Sequence, residues 1–183
     1  MKLNNKRTIL VGLAFLSICA FWQMYDSIVP LILTKTFHMN ETFSGAIMAA
    51  DNILALFLLP FFGSVSDKSH SKLGKRMPFI LFGTGCAIIL MNILPLLDNS
   101  YAAQPSGFKT ASFVIVLGLL LVAMGTYRAP AVALMPDVTP KPLRSRANAI
   151  INLMGAVGGI LYLGVAAVLY PNSKTAGLDH VNY

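Results

Sequence analysis

The sequence has 183 residues, of which 56% are apolar and only 11% are charged. Soluble domains carry about 25% charged residues, so this composition excludes a soluble globular protein with an ordinary hydrated surface. Fourteen Lys and Arg against seven Asp and Glu give a net charge of +7, which suits either nucleic acid or anionic lipid. The mean hydropathy of +0.68 decides for lipid, and it predicts an integral membrane protein with no nucleic-acid partner.

Five apolar stretches are long enough to cross a bilayer, whose hydrocarbon core of about 30 Å requires about 20 helical residues. The first stretch is longer than the apolar region of a signal peptide, contains Asp26 and lacks a cleavage site, so we interpret it as a retained helix. The connections are short, and a single transmembrane domain over residues 1–183 is expected. The predicted helices cover residues 8–33, 43–62, 77–97, 111–135 and 147–170.

Basic residues are divided unevenly between the two sides of these helices. The N-terminus and the 63–76 and 136–146 connections together hold ten Lys and Arg, whereas the opposite side holds three. Short cytoplasmic loops are enriched in Lys and Arg. The N-terminus is therefore predicted to be cytoplasmic, and the basic surplus requires no further partner.

Three ionisable residues, Asp26, Asp51 and Arg128, lie inside the predicted spans. Each costs about 2.5–3.5 kcal/mol at a helix centre. Such residues normally face the interior of a helix bundle or a water-filled cavity, often on a transport pathway. A buried ion pair that only fixes helix packing is the alternative, but each charge here has polar neighbours. The candidate residues for a solute or proton pathway are Trp22, Gln23, Asp26, Asp51, Asn52, Tyr127 and Arg128.

The surroundings of these charges suggest how they could act. Pro30 has no N–H, so the carbonyl of Asp26 loses its usual helical partner. Asn52 could instead make only a helix–helix hydrogen bond. Arg128 could pair with Asp51 or with Asp26, and the sequence does not choose between them. Because a carboxylate near a cation changes its proton affinity when the cation or water moves, we hypothesise coupling to protons.

The connection between the second and third helices carries a distinctive pattern. A glycine is followed four residues later by an acid and a base, and a second glycine precedes two bases. An ordinary cytoplasmic loop would explain the bases but not the glycines or the acid. The pattern resembles the signature between helices two and three of the major facilitator superfamily, and the matching residues are Gly63, Asp67, Lys68, Gly74, Lys75 and Arg76.

Five residues separate Lys68 from Gly74 where the common pattern has one, and this longer form looks like the sucrose-transporter and glycoside–cation symporter branches. Residues 127–137 and 146–149 are also similar to sucrose-type transporters, where an arginine matching Arg128 is tied to substrate or proton handling. The resemblance implies an all-α polytopic fold, with five helices of an incomplete six-helix N-terminal half. It also implies a plasma-membrane location and a gating role for the signature residues.

Other features limit the chemistry that is expected. Melibiose-type permeases bind sodium through two acids on the second helix, but Ala55 and Leu59 occupy the matching positions, so a proton is favoured over sodium. The histidines lie in separate loops without metal-ligand spacing, and no phosphate-loop motif is complete. No enzyme, metal or other cofactor is therefore expected. Gly155 and Gly159 are predicted to support close helix packing.

These observations predict a secondary active transporter, specifically a proton-coupled symporter of a sugar or glycoside that works by alternating access. The alternatives are an exporter of a small metabolite or drug, and a non-transporting membrane subunit or fragment. Five helices are one short of a six-helix half and seven short of the usual twelve. The chain is thus expected to be an N-terminal piece, inactive alone, whose partners are the solute, the bilayer and helices six to twelve of the same transporter.

Overall fold

The computed structural model describes residues 5–71, 74–171, 178 and 181, with side chains for all of these except residues 5–7 and 51. Every regular element in this part of the chain is helical, and five helices are long and apolar enough to cross a membrane. The predicted all-α polytopic fold is confirmed. The long helices are α1 (Asn5–Leu31), α2 (Glu41–Lys68), α3 (Met77–Ala103), α4 (Gly107–Val138) and α5 (Arg144–Leu169), with a π-helical segment at Ile32–Thr36 and a 3₁₀ turn at Lys141–Leu143.

Several helices extend past the apolar stretches that predicted them. The backbone of α2 starts at Glu41, where the Asn40 side chain accepts a hydrogen bond from the Thr42 N–H at 3.3 Å and caps the helix. Helical hydrogen bonding does not require apolar side chains, so a helix continues where polar groups meet water. As a correction to the predicted loop, Gly63, Asp67 and Lys68 lie in the last turns of α2.

One compact unit comprises the described residues up to Ser27 together with those from Ala131 to residue 171. In this unit α1 packs on α5 in parallel. A buried cluster of Met135, Ala147 and Ile151 receives Val11 and Phe15 from α1. This packing holds the cytoplasmic half of α1, as the predicted topology orients it, against α5.

Glycines make the closest contacts between α1 and α5. A Cβ placed on Gly155 would lie 2.8 Å from Cys19 Sγ, and one placed on Gly158 would overlap the backbone oxygen of Leu16. At Gly159 the nearest atom would be Gln23 Oε1, at an ordinary 3.6 Å. The predicted close packing is thus found at Gly155, but its tightest point is Gly158 and not Gly159.

A second compact unit comprises Ile28–Pro130 together with residues 178 and 181. Its core includes an aromatic cluster. The ring centroid of Phe37 lies 4.3 Å from that of Tyr101 and 4.7 Å from that of Phe113. The Lys109 ammonium donates to the carbonyls of Ser100 at 2.7 Å and Gln104 at 3.0 Å. Lys109 therefore caps the C-terminal end of α3, where a positive charge is favourable.

Candidate functional site

The polar group on α1 lies in the first unit. The indole of Trp22 meets the ring of Tyr25 edge to face, with centroids 6.0 Å apart, and Tyr25 is fully buried. Gln23 Nε2 donates to Ser27 Oγ at 3.5 Å, and the Ser27 hydroxyl donates to the Gln23 carbonyl at 2.7 Å. Asp26 follows on an exposed part of the helix. Three of the predicted pathway residues are therefore neighbours on consecutive turns of one helix.

The helix changes form just after this group. Pro30 remains inside α1, which ends at Leu31, and Ile32–Thr36 are π-helical, with the Phe37 N–H donating to the Ile32 carbonyl at 3.2 Å. The Thr34 hydroxyl donates to the Pro30 carbonyl at 2.8 Å, which satisfies one backbone acceptor beside the irregular turn. Single π-helical turns inside α-helices are frequent at functional sites, whereas this segment ends the first span. It begins less than two turns beyond Asp26.

The candidates on α2 lie in the second unit. Asp51 lies in the helix, but its side chain is outside the described residues. Asn52 is exposed, and its Nδ2 donates to the Met48 carbonyl at 3.2 Å on the same helix. The amide of Asn52 thus satisfies one of its two N–H donors within its own helix.

Tyr127 and Arg128 lie on α4, and α3 approaches them closely. Tyr127 is 2% exposed and Arg128 is half-buried. A Cβ placed on Gly83 of α3 would lie 2.9 Å from both the N and the Cβ of Tyr127, and 3.0 Å from the carbonyl oxygen of Ala123. Because only glycine fits at this distance, Gly83 sets the position of the α4 turn that carries both candidates. The pairing of Arg128 with Asp26 or Asp51 stays a prediction.

We expect Gly83→Ala to displace the α4 turn that carries Tyr127 and Arg128. Its methyl group would meet backbone atoms, which cannot rotate away, so the free energy of unfolding should fall by about 1–3 kcal/mol. Thermal unfolding in detergent, followed by circular dichroism, measures this change. Gly85→Ala is the matched control, because no described atom lies within 4 Å of a Cβ there. Equal midpoints for the two variants would contradict the close approach.

The signature residues of the α2–α3 connection form a second site, also within the second unit. Arg76 Nη2 lies 2.8 Å from Asp67 Oδ1, and its Nη1 donates to Ser66 Oγ at 3.3 Å. The Ser66 hydroxyl in turn donates to the Gly63 carbonyl at 2.9 Å. The Arg76 side chain is only 10% exposed, whereas that of Asp67 is 61% exposed. Arg76 therefore ties the start of α3 to the last turn of α2.

Among the other signature residues, Gly63 joins this network through its carbonyl. Gly74 has φ of 96°, a left-handed conformation that glycine adopts without strain. Lys68 and Lys75 are exposed. No described atom lies within 4 Å of a Cβ placed on Gly63, so the structure shows no close helix contact at this glycine. Lys72, which contributed to the basic count of this connection, lies outside the described residues.

We expect Arg76→Ala to destabilise the connection more than Asp67→Asn does. The alanine removes both bonds of Arg76 and its buried stem, while the asparagine keeps an oxygen that can accept from Arg76. An ion pair with one exposed partner contributes about 0–1 kcal/mol, so Asp67→Asn should have an effect within that range. Thermal midpoints of the two variants test the order. A larger loss in Asp67→Asn would mean that the exposed carboxylate, and not the buried guanidinium, holds the connection.

Two residues of the second unit were missed by the sequence analysis. Asp98 is fully buried in α3, whereas the predicted span ended one residue before it. The acid directly after an apolar stretch was the available signal. Gly83 was missed because a glycine in an apolar helix has no sequence feature that identifies its partner helix.

Comparison with known proteins identifies the family. The model of the Major Facilitator Superfamily matches residues 11–175. The chain is 35% identical to the sucrose transport protein SUC3 of Arabidopsis thaliana over 158 residues, which cover 80% of this chain and 26% of the relative. It is 36% identical to the sucrose transport protein SUT3 of Oryza sativa subsp. indica over 154 residues, which cover 76% and 30%.

A bacterial protein is similar over a longer stretch. The alpha-ketoglutarate permease of Escherichia coli (strain K12) is 25% identical over 179 residues, which cover 96% of this chain and 38% of the permease. The chain thus spans between about a quarter and two-fifths of the length of these relatives. No solved structure matches it. The match over residues 11–175 and the signature residues agree, and the chain belongs to the major facilitator superfamily, with sucrose-transporter-like sequence.

Proposed function

We propose that the gene product containing these residues is a secondary active transporter that moves a sugar or glycoside together with protons. Membership of the superfamily and the similarity to sucrose transport proteins support transport, in place of catalysis, and a sugar as the solute. The plasma membrane is the proposed location. Trp22, Gln23, Asp26, Asp51, Asn52, Tyr127 and Arg128 are the proposed residues of solute and proton handling.

The single observation that carries the proposal is the exposure of Asp26 inside a membrane-spanning helix. A carboxylate directed at lipid would be costly, so one that lies on the surface of α1 belongs in a watery cavity. In such a cavity it can gain and lose a proton as its surroundings change. Trp22 and Gln23 on the preceding turn provide a ring face and an amide, which are groups that bind sugars.

A proton is the proposed coupling ion. Sodium-coupled permeases of the melibiose type use two acids on the second helix, and the chain has Ala55 and Leu59 at those positions. Asp67, Arg76 and the residues around them are proposed to act in gating, because the ion pair joins two helix ends that must move if the cytoplasmic side opens.

Transport of a carboxylate solute is a second candidate. The similarity to the alpha-ketoglutarate permease and the presence of a half-buried cation, Arg128, in a membrane-spanning helix favour it. Arg recognises carboxylates through two parallel hydrogen bonds. In this case Arg128 would bind the solute itself.

Counterflow separates the two candidates. The full-length gene product is reconstituted into liposomes loaded with unlabelled sucrose or unlabelled α-ketoglutarate, and the uptake of the same labelled solute is followed. We expect labelled sucrose to accumulate transiently in sucrose-loaded vesicles and α-ketoglutarate not to do so. Counterflow of α-ketoglutarate alone would support the second candidate and refute the first.

A further inference from the structure

Helix α5 has three different surfaces along its length. Ala147, Ile151, Gly155 and Gly158 form its buried face. On one side of that face, at the helical period of 100° per residue, lies an exposed run of large apolar residues that suits lipid. We call it the apolar flank; its residues are Ile150, Val157, Leu161 and Val168.

The other side of the buried face is polar or small from Ser145 to Gly159, beyond which Leu163 is exposed on the same side. We call it the polar flank, and its residues are Ser145, Asn148, Asn152, Ala156 and Gly159. All of them are exposed except Gly159, which is half-buried. Asn152 lies about 7 Å from the midpoint of the helix at 1.5 Å per residue, which is well inside a hydrocarbon core of about 30 Å.

The amides of this flank have unmet hydrogen-bonding capacity. Asn52 and Asn92, which are exposed on α2 and α3, donate to carbonyls of their own helices at 3.2 and 2.8 Å. The side-chain amides of Asn148 and Asn152 make no hydrogen bond to any described residue. An amide that faced lipid in this state would be costly. The polar flank therefore faces water, a polar solute or polar groups of another helix, and not lipid.

The polar flank is continuous with the candidates on α1. Gln23 Oε1 lies 3.6 Å from the position that a Cβ on Gly159 would take. The Gln23 amide therefore adjoins the C-terminal end of the polar flank. Ala156 and Gly159 have little or no side chain, which leaves space in front of the amides. Within the first unit, three amides from α1 and α5 thus lie along one surface.

We propose that the polar flank of α5, with Gln23, binds the hydroxyl groups of a neutral polyhydroxylated solute, and that Asn152 is a specificity-determining residue. An amide offers both a donor and an acceptor, which matches a hydroxyl group, and no charged residue lies on the flank. This inference rests on the proposed function and extends it from α1 to α5.

Thiol labelling tests whether the flank faces water. In a Cys19→Ala, Cys86→Ala background, Asn152→Cys is compared with Val157→Cys on the apolar flank, using the membrane-impermeant reagent sulfonatoethyl methanethiosulfonate on the reconstituted full-length gene product. The reactive thiolate forms only where water reaches it, so we expect Asn152→Cys to react at least about tenfold faster. Sucrose should slow the reaction at residue 152 and leave that at residue 157 unchanged.

Uptake kinetics test binding independently of labelling. Asn152→Ala should raise the KM for sucrose about tenfold, since the loss of one or two hydrogen bonds of about 1 kcal/mol each corresponds to that factor. The maximal rate should stay within about twofold, because at saturating sucrose the weaker binding is overcome. Val157→Ala should change neither parameter.

The outcomes separate this inference from the proposed function. If the unmodified protein takes up sucrose but residue 152 is as unreactive as residue 157 and Asn152→Ala has a normal KM, another helix or lipid covers the flank, and the inference fails while sugar transport stands. If residue 152 reacts but sucrose neither slows the reaction nor is taken up, the solute is not a sugar of this kind. The proposed sugar transport and the proposed binding of sugar hydroxyl groups by the polar flank then both fail.

Discussion

Replacing Gly158 by alanine is expected to lower the free energy of unfolding by about 3 kcal/mol, near the upper end of the usual cost of overpacking. The added methyl group would overlap the backbone oxygen of Leu16 and lie 2.9 Å from its carbonyl carbon. Because both atoms belong to the backbone of α1, no side-chain rotation relieves the overlap, and α1 must move away from α5. Thermal unfolding in detergent measures the loss.

Two other glycines provide matched controls for this variant. At Gly12 a Cβ would overlap Met154 Sδ, the end of a flexible side chain that can turn away, so Gly12→Ala should cost less than Gly158→Ala. At Gly164, on the same helix as Gly158, no described atom lies within 4 Å. Gly164→Ala should be neutral or stabilising, by up to about 1 kcal/mol from helix propensity. If Gly158→Ala were as stable as Gly164→Ala, the close approach of α1 and α5 would be wrong.

The second large effect is expected at Asp26. Asp26→Asn removes the exposed carboxylate from α1 but keeps a side chain of the same size and hydrogen-bonding reach. We expect the variant to lose uphill accumulation of sugar completely while keeping part of the sucrose counterflow, because exchange does not require the release of a proton. Measuring accumulation and counterflow on the same proteoliposomes separates the two properties.

Glu41→Gln is the control for this loss of charge. Glu41 is an exposed acid in the first turn of α2, at the end of the span and not inside it. The Glu41→Gln variant should accumulate sugar like the unmodified protein, and Asp26→Glu should recover part of the activity. Normal accumulation by Asp26→Asn would remove Asp26 from the coupling mechanism.

The number and type of the helices could be predicted because each helix that crosses a bilayer needs a long apolar stretch, which a single sequence reveals. Each of the five apolar stretches is a helix in the structure. The ends were less predictable. Asp98 falls outside an apolar window, yet α3 continues to Ala103 because the backbone hydrogen bonds do not depend on side-chain polarity. For the same reason the first half of the signature belongs to α2.

The contacts between helices could be predicted only in part. Gly155 was correctly assigned to a packing surface, but the tightest contact is at Gly158, because the rotation and register of α1 decide which glycine faces it. Gly83 beside Tyr127 is a similar case. The polar flank of α5 emerged only when the buried face of the helix was known, since it separates Asn148 and Asn152 from the apolar flank.

The central claim is that sugar moves together with protons, and one measurement tests it most directly. Proteoliposomes containing the full-length gene product are given an inward proton gradient, and labelled sucrose uptake is followed together with the internal pH. We predict that sucrose accumulates above its external concentration and that adding sucrose acidifies the interior, with both effects abolished by a protonophore. Uptake that only equilibrates, with no change of internal pH on adding sucrose, would contradict the account.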